Sequence, residues 1–377
     1  MQKICVISSS RADYGIMSNL IKKVKNHKDF KLNLIITGSH LSKKFGLTSN
    51  EIVKDRIAIY DKIYLKDNKD YYQNISYLIN QYSKVIKKIN PKIVILLGDR
   101  YEIFAAAISS YLKRIPIGHI HGGEVTSGSM DDGFRHSITK LSYLHFAATK
   151  KSKKRILQLG EKKDSVFNIG SLSLENIKKI KFLTKSQIEK KYNIKLKKKV
   201  AIVVFHPNTI NVNNDILDIN KILSVFKKLS DYSFIFSGSN IDMGGIKISK
   251  ELKAFSKKNN FLFRDSFGKV DFLSIIKFSQ VIVGNSSSGI IEAPSLKTFT
   301  INIGKRQKGR ELSKSIFNSS FDNKQFFNLF KKLDKIKDSK KYFQFNPYKS
   351  KNGSDKIISI LKKPIKNNFN FKKFNDL

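Results

Sequence analysis

The chain has 377 residues, 40% of them hydrophobic, and a formal charge of +42 at pH 7; that length exceeds one ordinary core, so two domains are expected. Its single cysteine, Cys5, excludes an internal disulfide and a cysteine-rich zinc site, and no apolar run approaches the roughly 20 residues of a membrane helix. The positive charge is spread along the whole length as pairs and triplets such as Lys197–Lys199, which reads as a solvated lysine coat rather than a nucleic-acid or membrane surface.

Short apolar runs alternate with longer amphipathic stretches. The start, Met1–Ile7, reads as a first strand, too short in its apolar run for a signal peptide, and Cys5 is expected to pack inside it. The simplest compartment is therefore the cytoplasm. Strands are expected at Ile4–Ser8, Leu32–Thr37, Ile93–Leu97, Ile115–His119 and Leu144–Ala147, with helices at Tyr14–Lys25, Tyr71–Ile89 and Tyr101–Leu112. Residues 175–199 are Lys-rich and poorly patterned for a core. The alternation then restarts, with strands at Val200–Phe205, Ser233–Ser237, Phe261–Phe263, Val281–Val283 and Thr298–Ile301. Helices are expected at Ile216–Leu229, Ile246–Lys257, Val270–Phe278 and Ile290–Leu296. Repeated βα units imply a parallel sheet covered on both faces. The expected organisation is two Rossmann-like α/β domains, 1–174 and 200–353, facing a cleft, joined by a connection at 175–199 and followed by a helix and tail at 354–377.

Chemistry-bearing residues concentrate in loops after strands, where an open α/β sheet binds ligands. Gly118–His136 holds three His, Glu124, Asp131, Asp132, Arg135 and several Gly, with a helix expected from Ser137. Carboxylates and imidazoles gathered in this way suit proton transfer. Ser8–Gly15 brings Arg11, a planar fork for a diphosphate, and Leu97–Glu102 brings Asp99 as a proton acceptor or a helix cap. Arg100 and Glu102 suit a local salt bridge. In the later half, Gly284–Ala293 places Ser286, Ser287, Ser288 and Gly289 where a helix begins, suited either to an anion or simply to capping. Glu292, one turn on, is placed to accept ribose hydroxyls, and His206 follows another strand. Only nine of the 72 basic residues are Arg, and Arg11, Arg100, Arg135, Arg306 and Arg310 all fall in Gly-, Asp- or Ser-bearing loops. No His-Glu-x-x-His and no dinucleotide fingerprint are present, so no metal and no cofactor are expected.

Taken in order, these motifs resemble the hydrolysing UDP-N-acetylglucosamine 2-epimerases of sialic-acid and legionaminic-acid pathways. The matching residues are Ser10–Gly15, Thr37–Leu41 with Phe45-Gly46, Leu97–Arg100, His119–Glu124, Asp131-Asp132 with Arg135-His136, Ile138–Lys140, His206-Pro207, Gly284–Gly289 with Glu292–Ser295, and Ile303–Arg310. The resemblance implies a GT-B fold binding a UDP-sugar, a homo-oligomer (dimer or tetramer), and no nucleic-acid or membrane partner. By position, Arg11, Ser287, Ser288 and Glu292 correspond to diphosphate and nucleotide ligands, with Ser286, Gly289 and His121 beside them in the binding set. Asp99, Glu124 and Asp131 correspond to proton-handling carboxylates, and Arg135 and His206 to residues near the diphosphate and the reacting centre. His121 stands where non-hydrolysing relatives have an acidic residue, and Lys305 and Phe299 stand where Asp and Pro are expected. A non-hydrolysing epimerase, a GT-B glycosyltransferase and, more distantly, a basic nucleic-acid-binding protein are the alternatives.

Overall fold

The structure, a computed structural model, describes residues 1–42, 48–66, 70–127, 130–207, 212–239, 244–336, 338–349, 351–364 and 372–376. The expected motif residues Phe45 and Gly46 lie outside that set. The chain divides into two compact units: residues 1–124, 130–176 and 348–377 form the first, and residues 125–129 and 177–347 the second.

The first unit is built on a parallel sheet of β1 (Gln2–Ser8), β2 (Phe30–Thr37), β3 (Ile59–Ile63), β4 (Ile93–Leu97), β5 (Ile117–Ile120), β6 (Leu144–Ala147) and β7 (Val166–Asn168). Their order across the sheet is β3-β2-β1-β4-β5-β6-β7. The central strands are apolar on both faces, because helices cover both. Ile4, Val6, Ile93 and Ile95 pack on one face, and Cys5, Ile7, Val94 and Leu96 on the other. Cys5 is fully buried in β1. Strand β5 starts two residues later than the sequence suggests, since Pro116 has no N–H for the ladder and contributes only its carbonyl, to Val94 N.

The second unit carries β8 (Lys199–Val204), β9 (Tyr232–Ser237), β10 (Leu262–Arg264), β11 (Val281–Gly284), β12 (Phe299–Ile303) and β13 (Ile316–Ser319). Their order is β10-β9-β8-β11-β12-β13, and every pairing is parallel. A Phe-rich core, including Phe226, Phe234, Phe236, Phe326 and Phe330, fills one side.

Two parts of the expected layout differ. Residues 175–199 are not a bare connection: they contain the helix Lys185–Tyr192, capped by a Thr184/Gln187 capping box. Ile188 on that helix is fully buried, and Tyr192 donates from its hydroxyl to Asp271 at 2.6 Å. The chain after 348 returns to the first unit. Its helix Gly353–Lys362 buries Ile357 and Leu361 beside Ile169 and Leu172. Glu175 fastens that helix by accepting from Ser354 N (2.8 Å) and from Asn19 (3.0 Å). Gly353 is required there, because a Cβ would stand 2.5 Å from the Ile169 carbonyl oxygen.

Candidate active site

In each sheet the strand order reverses direction at one pair of neighbours, β1 and β4 in the first unit and β8 and β11 in the second. The crevice beyond the carboxyl ends of such a pair is where open α/β sheets bind ligands. Residues Ser8–Arg11 and Gly98–Arg100 follow β1 and β4, while His206 and Asn285–Ser288 follow β8 and β11.

In the first unit the helix expected from Ser137 begins at Asp131 and runs to Leu141. Asp131, Asp132, Arg135 and His136 therefore sit on a regular helix rather than in a loop. Asp132 and Arg135, three apart, share a face, and Arg135 is 2% exposed. Its guanidinium spans three acceptors: Nη1 donates to Asp132 (2.8 Å) and to the Glu124 carbonyl (2.9 Å), and Nη2 to the Asp99 carboxylate. Two carboxylates therefore face the guanidinium expected near the diphosphate and the reacting centre. What the fork does is bring together β4, β5 and this helix. Asp99, 25% exposed through its side chain, precedes the helix Tyr101–Leu112 but does not cap it; Arg100 holds the N-cap position. Arg100 instead pairs with Glu102 at 3.2 Å, as expected of these two. Burial pushes the Glu102 carboxyl above its usual range, opposed by Arg100. Asp131 lies half-buried in the first turn.

The Gly122-Gly123 pair lets the loop press against its neighbours. A Cβ on Gly123 (φ +71°) would stand 2.3 Å from the Ser152 carbonyl oxygen, and one on Gly122 2.9 Å from the His119 ring. His119 is fully buried; its Nε2 donates to the Gly98 carbonyl at 2.8 Å, and Nδ1 lies 3.1 Å from the Thr139 hydroxyl. Burial lowers its pKa to about 3, so the ring is neutral and holds β5 to the helix. His121 lies past the end of β5 with φ +64°, a conformation rare outside glycine. Its Nδ1 is 3.9 Å from the buried Glu124 carboxylate.

Arg11 is the first residue of a helix that starts earlier than expected, Arg11–Lys25, because Ser10 caps it by accepting from Asp13 N. Asp13 accepts in turn from Ser9 N (3.1 Å) and Ser9 Oγ (2.6 Å). The Arg11 guanidinium is half-buried and has no partner among the described residues.

In the second unit Gly284, at φ +133°, brings its strand so close to β8 that a Cβ would stand 1.9 Å from the Val204 carbonyl oxygen. Asn285 then clamps His206, its Oδ1 accepting from His206 N and its Nδ2 donating to His206 O, both at 2.7 Å. Gln307 donates to the Asn285 carbonyl at 2.9 Å, and Arg306 reaches it at 3.4 Å. Sequence reasoning passed over Asn285 and Gln307, although both lie inside the quoted motifs; a short polar side chain between strand end and helix start was the available signal. Burial, then the nearby Arg306, lowers the His206 pKa to about 3. The His206 ring is therefore neutral near pH 7.

The helix after β11 is short, Ser287–Ile291, with a 3₁₀ turn at Ala293–Leu296, rather than one helix through Leu296. Ser286 caps it, accepting from Ser288 N at 3.3 Å. Gly289 is buried, and a Cβ there would lie 2.7 Å from Thr300 Cγ2, so the residue packs closely on β12. Ser287 and Ser288 are half-buried, and the Ser287 N–H has no partner among the described residues. Glu292 sits half-buried at the junction between helix and 3₁₀ turn.

Two parallel α/β units, each with its polar loops at a strand-order reversal, define a protein of the GT-B-like class. The chain belongs to the UDP-N-acetylglucosamine 2-epimerase family of enzymes, whose family model matches residues 22–362. It is 40% identical over 328 residues to the GDP/UDP-N,N'-diacetylbacillosamine 2-epimerase (hydrolyzing) of Campylobacter jejuni, covering 85% of each chain. It is 38% identical to the polysialic acid biosynthesis protein P7 of Escherichia coli, covering 100% of this chain and 98% of that one. Among solved structures it resembles the UDP-GlcNAc 2-epimerase of Neisseria meningitidis bound to UDP-GlcNAc, with TM-score 0.84, 21% identity, and coverage of 96% of this chain and 99% of that one. No helix among the described residues is long and apolar enough to cross a membrane.

Proposed function

We propose that this enzyme is a hydrolysing 2-epimerase. It converts UDP-GlcNAc, or its 2,4-diacetamido-6-deoxy relative UDP-N,N'-diacetylbacillosamine, and water into UDP and the free 2-epimeric sugar. The observation that carries this reading is the Arg135 fork, which assembles Asp99, Asp132 and the Glu124 backbone beyond the ends of β4 and β5.

The C2 proton of an N-acetylhexosamine has no adjacent carbonyl, so enolisation does not remove it. Elimination does: a base takes the C2 proton while UDP leaves C1, giving a glycal. Water then adds at C1, and a proton returns to C2 from the opposite face. Proton transfer on two faces requires at least two ionisable groups, which this reading draws from Asp99, Glu124, Asp131 and, newly, Asp132. The departing diphosphate needs N–H donors and positive charge. The unpartnered Arg11, the Ser287 N–H and the Ser286–Ser288 hydroxyls are assigned that task. Arg135 orients the carboxylates, neutral His206 offers a hydrogen bond or a proton acceptor, His121 contacts the sugar, and Glu292 accepts the ribose hydroxyls.

A proton-NMR time course with each UDP-sugar alone tests the proposal. Free 2-epimer plus UDP is the expected outcome, and in D₂O the product carries deuterium at C2. UDP-ManNAc as the product, or no turnover with either sugar, overturns it. A homo-oligomer is part of the same proposal, and light scattering at working concentration reads it.

A further inference from the structure

The far end of the helix Asp131–Leu141 is held by the last stretch of the chain. An α-helix leaves its final carbonyls without intrahelical donors, and a cation placed there is favoured by the helix dipole. The Ile138 carbonyl accepts from Ser142 Oγ (2.7 Å) and the Thr139 carbonyl from Ser142 N (3.1 Å). The remaining demand is met from far away in sequence. Lys372 Nζ donates to the carbonyls of Thr139 (3.2 Å), Lys140 (2.7 Å) and Ser142 (2.6 Å).

The same ammonium pairs with Glu161, which is 3% exposed, accepts from His145 Nε2 (2.9 Å) and forms an ion pair with Lys140 (2.9 Å). Two further contacts fix the segment. Asn375 N and Nδ2 both donate to the Gly160 carbonyl at 3.1 Å. The Phe374 ring lies flush on Gly160, where a Cβ would stand 2.6 Å from the ring. Gly160 has φ +77°, so position and conformation together demand glycine.

We propose that residues 372–376 form a clamp that fixes the register of the helix carrying Asp131, Asp132 and Arg135, and that Lys372 is a positioning residue for catalysis. Acting at the C-terminal end of an eleven-residue helix, it governs the geometry of the turns before it, where Thr139 meets His119 and Arg135 binds Asp99. A small misplacement of catalytic groups is costly in rate. The catalytic half of the proposal rests on the epimerase reading; the structural half does not.

The test uses full-length Lys372→Met, Lys372→Arg and Phe374→Ala. Hydrogen exchange without substrate is expected to show amides of 131–141 losing about tenfold protection in Lys372→Met, with the second unit unchanged. Turnover is expected to fall about tenfold in kcat with KM and UDP affinity within about twofold, and Lys372→Arg to restore most of it. Phe374→Ala, which leaves every charge in place, is expected to shift exchange in the same helix to a lesser degree. Unchanged exchange in 131–141 for both Lys372→Met and Phe374→Ala overturns the clamp, whatever the activity. Increased exchange with wild-type kcat in Lys372→Met overturns the positioning role. If the wild type turns over neither UDP-sugar, the epimerase reading fails, while the exchange result still decides whether the clamp exists.

Discussion

Arg135 carries more of the arrangement than any other single side chain, because one buried guanidinium holds two carboxylates and a loop carbonyl. On the proposed mechanism the carboxylates move the protons, so removing their charge without changing their shape isolates that role. Asp99→Asn and Glu124→Gln are each expected to lower kcat by about 10²- to 10⁴-fold while UDP affinity, measured by titration calorimetry, stays close to wild type. Near-normal rates in both would refute the carboxylate assignment. Glu292→Ala is expected to weaken UDP binding about tenfold, the loss of a charge-assisted hydrogen bond. An unchanged dissociation constant would remove Glu292 from the nucleotide site. Asp132 was visible in the sequence only as a neighbour of Asp131. Its spacing of three from Arg135 would have selected it, had the helix been placed from Asp131 rather than Ser137.

Strand ends and the turns after them decide where these side chains fall. The sharpest case is the passage from β11 into its helix, where Gly284 meets the Val204 carbonyl and Asn285 ties that turn to His206. Gly284→Ala adds a Cβ that cannot fit and forces a positive φ on a residue that resists it. The expected cost is about 4 kcal/mol or more in urea unfolding; a loss under 1 kcal/mol would mean that β8 and β11 separate easily. The missed strands share one cause. Strands β3, β7 and β13 all lie at sheet edges, are short, and expose part of their side chains, so no apolar run marks them. The helix Lys150–Gln158 escaped notice because only Ser152 and Ile156 on it are buried.

Across the whole molecule, neutral histidines locked in the interior set a pH limit. His40 is fully buried, 2.9 Å from Ser8 Oγ and 3.1 Å from Thr48 Oγ1, and burial lowers its pKa to about 4; that of His119 falls to about 3. In the unfolded chain both take a proton near pH 6.5. Between that pH and the lower folded values the unfolded state binds more protons, so stability falls as the pH drops. Each histidine adds a slope of about 1.4 kcal/mol per pH unit across its window. Melting temperatures measured from pH 7 to pH 4 are expected to fall steadily, and His40→Gln is expected to flatten the upper part of that curve if it folds. A wild-type curve that stays level down to pH 4 would show that these rings accept protons in place.

The sequence by itself determined the class: alternating apolar runs and helical stretches set two parallel α/β units, and glycine-, serine- and carboxylate-bearing loops after strands marked where chemistry gathers. These features are local, recurring within a few residues of one another, so a linear reading reaches them. Tertiary structure alone decided which of those groups touch. It set Arg135 as a fork between Asp99 and Asp132, made His206 neutral by burial beside Arg306, and packed Gly289 against Thr300. It also returned Lys372 to the carbonyls of residues 139–142, more than two hundred residues earlier in the chain. Burial and neighbouring charge are properties of what surrounds a side chain, and those surroundings come from segments that no local pattern connects.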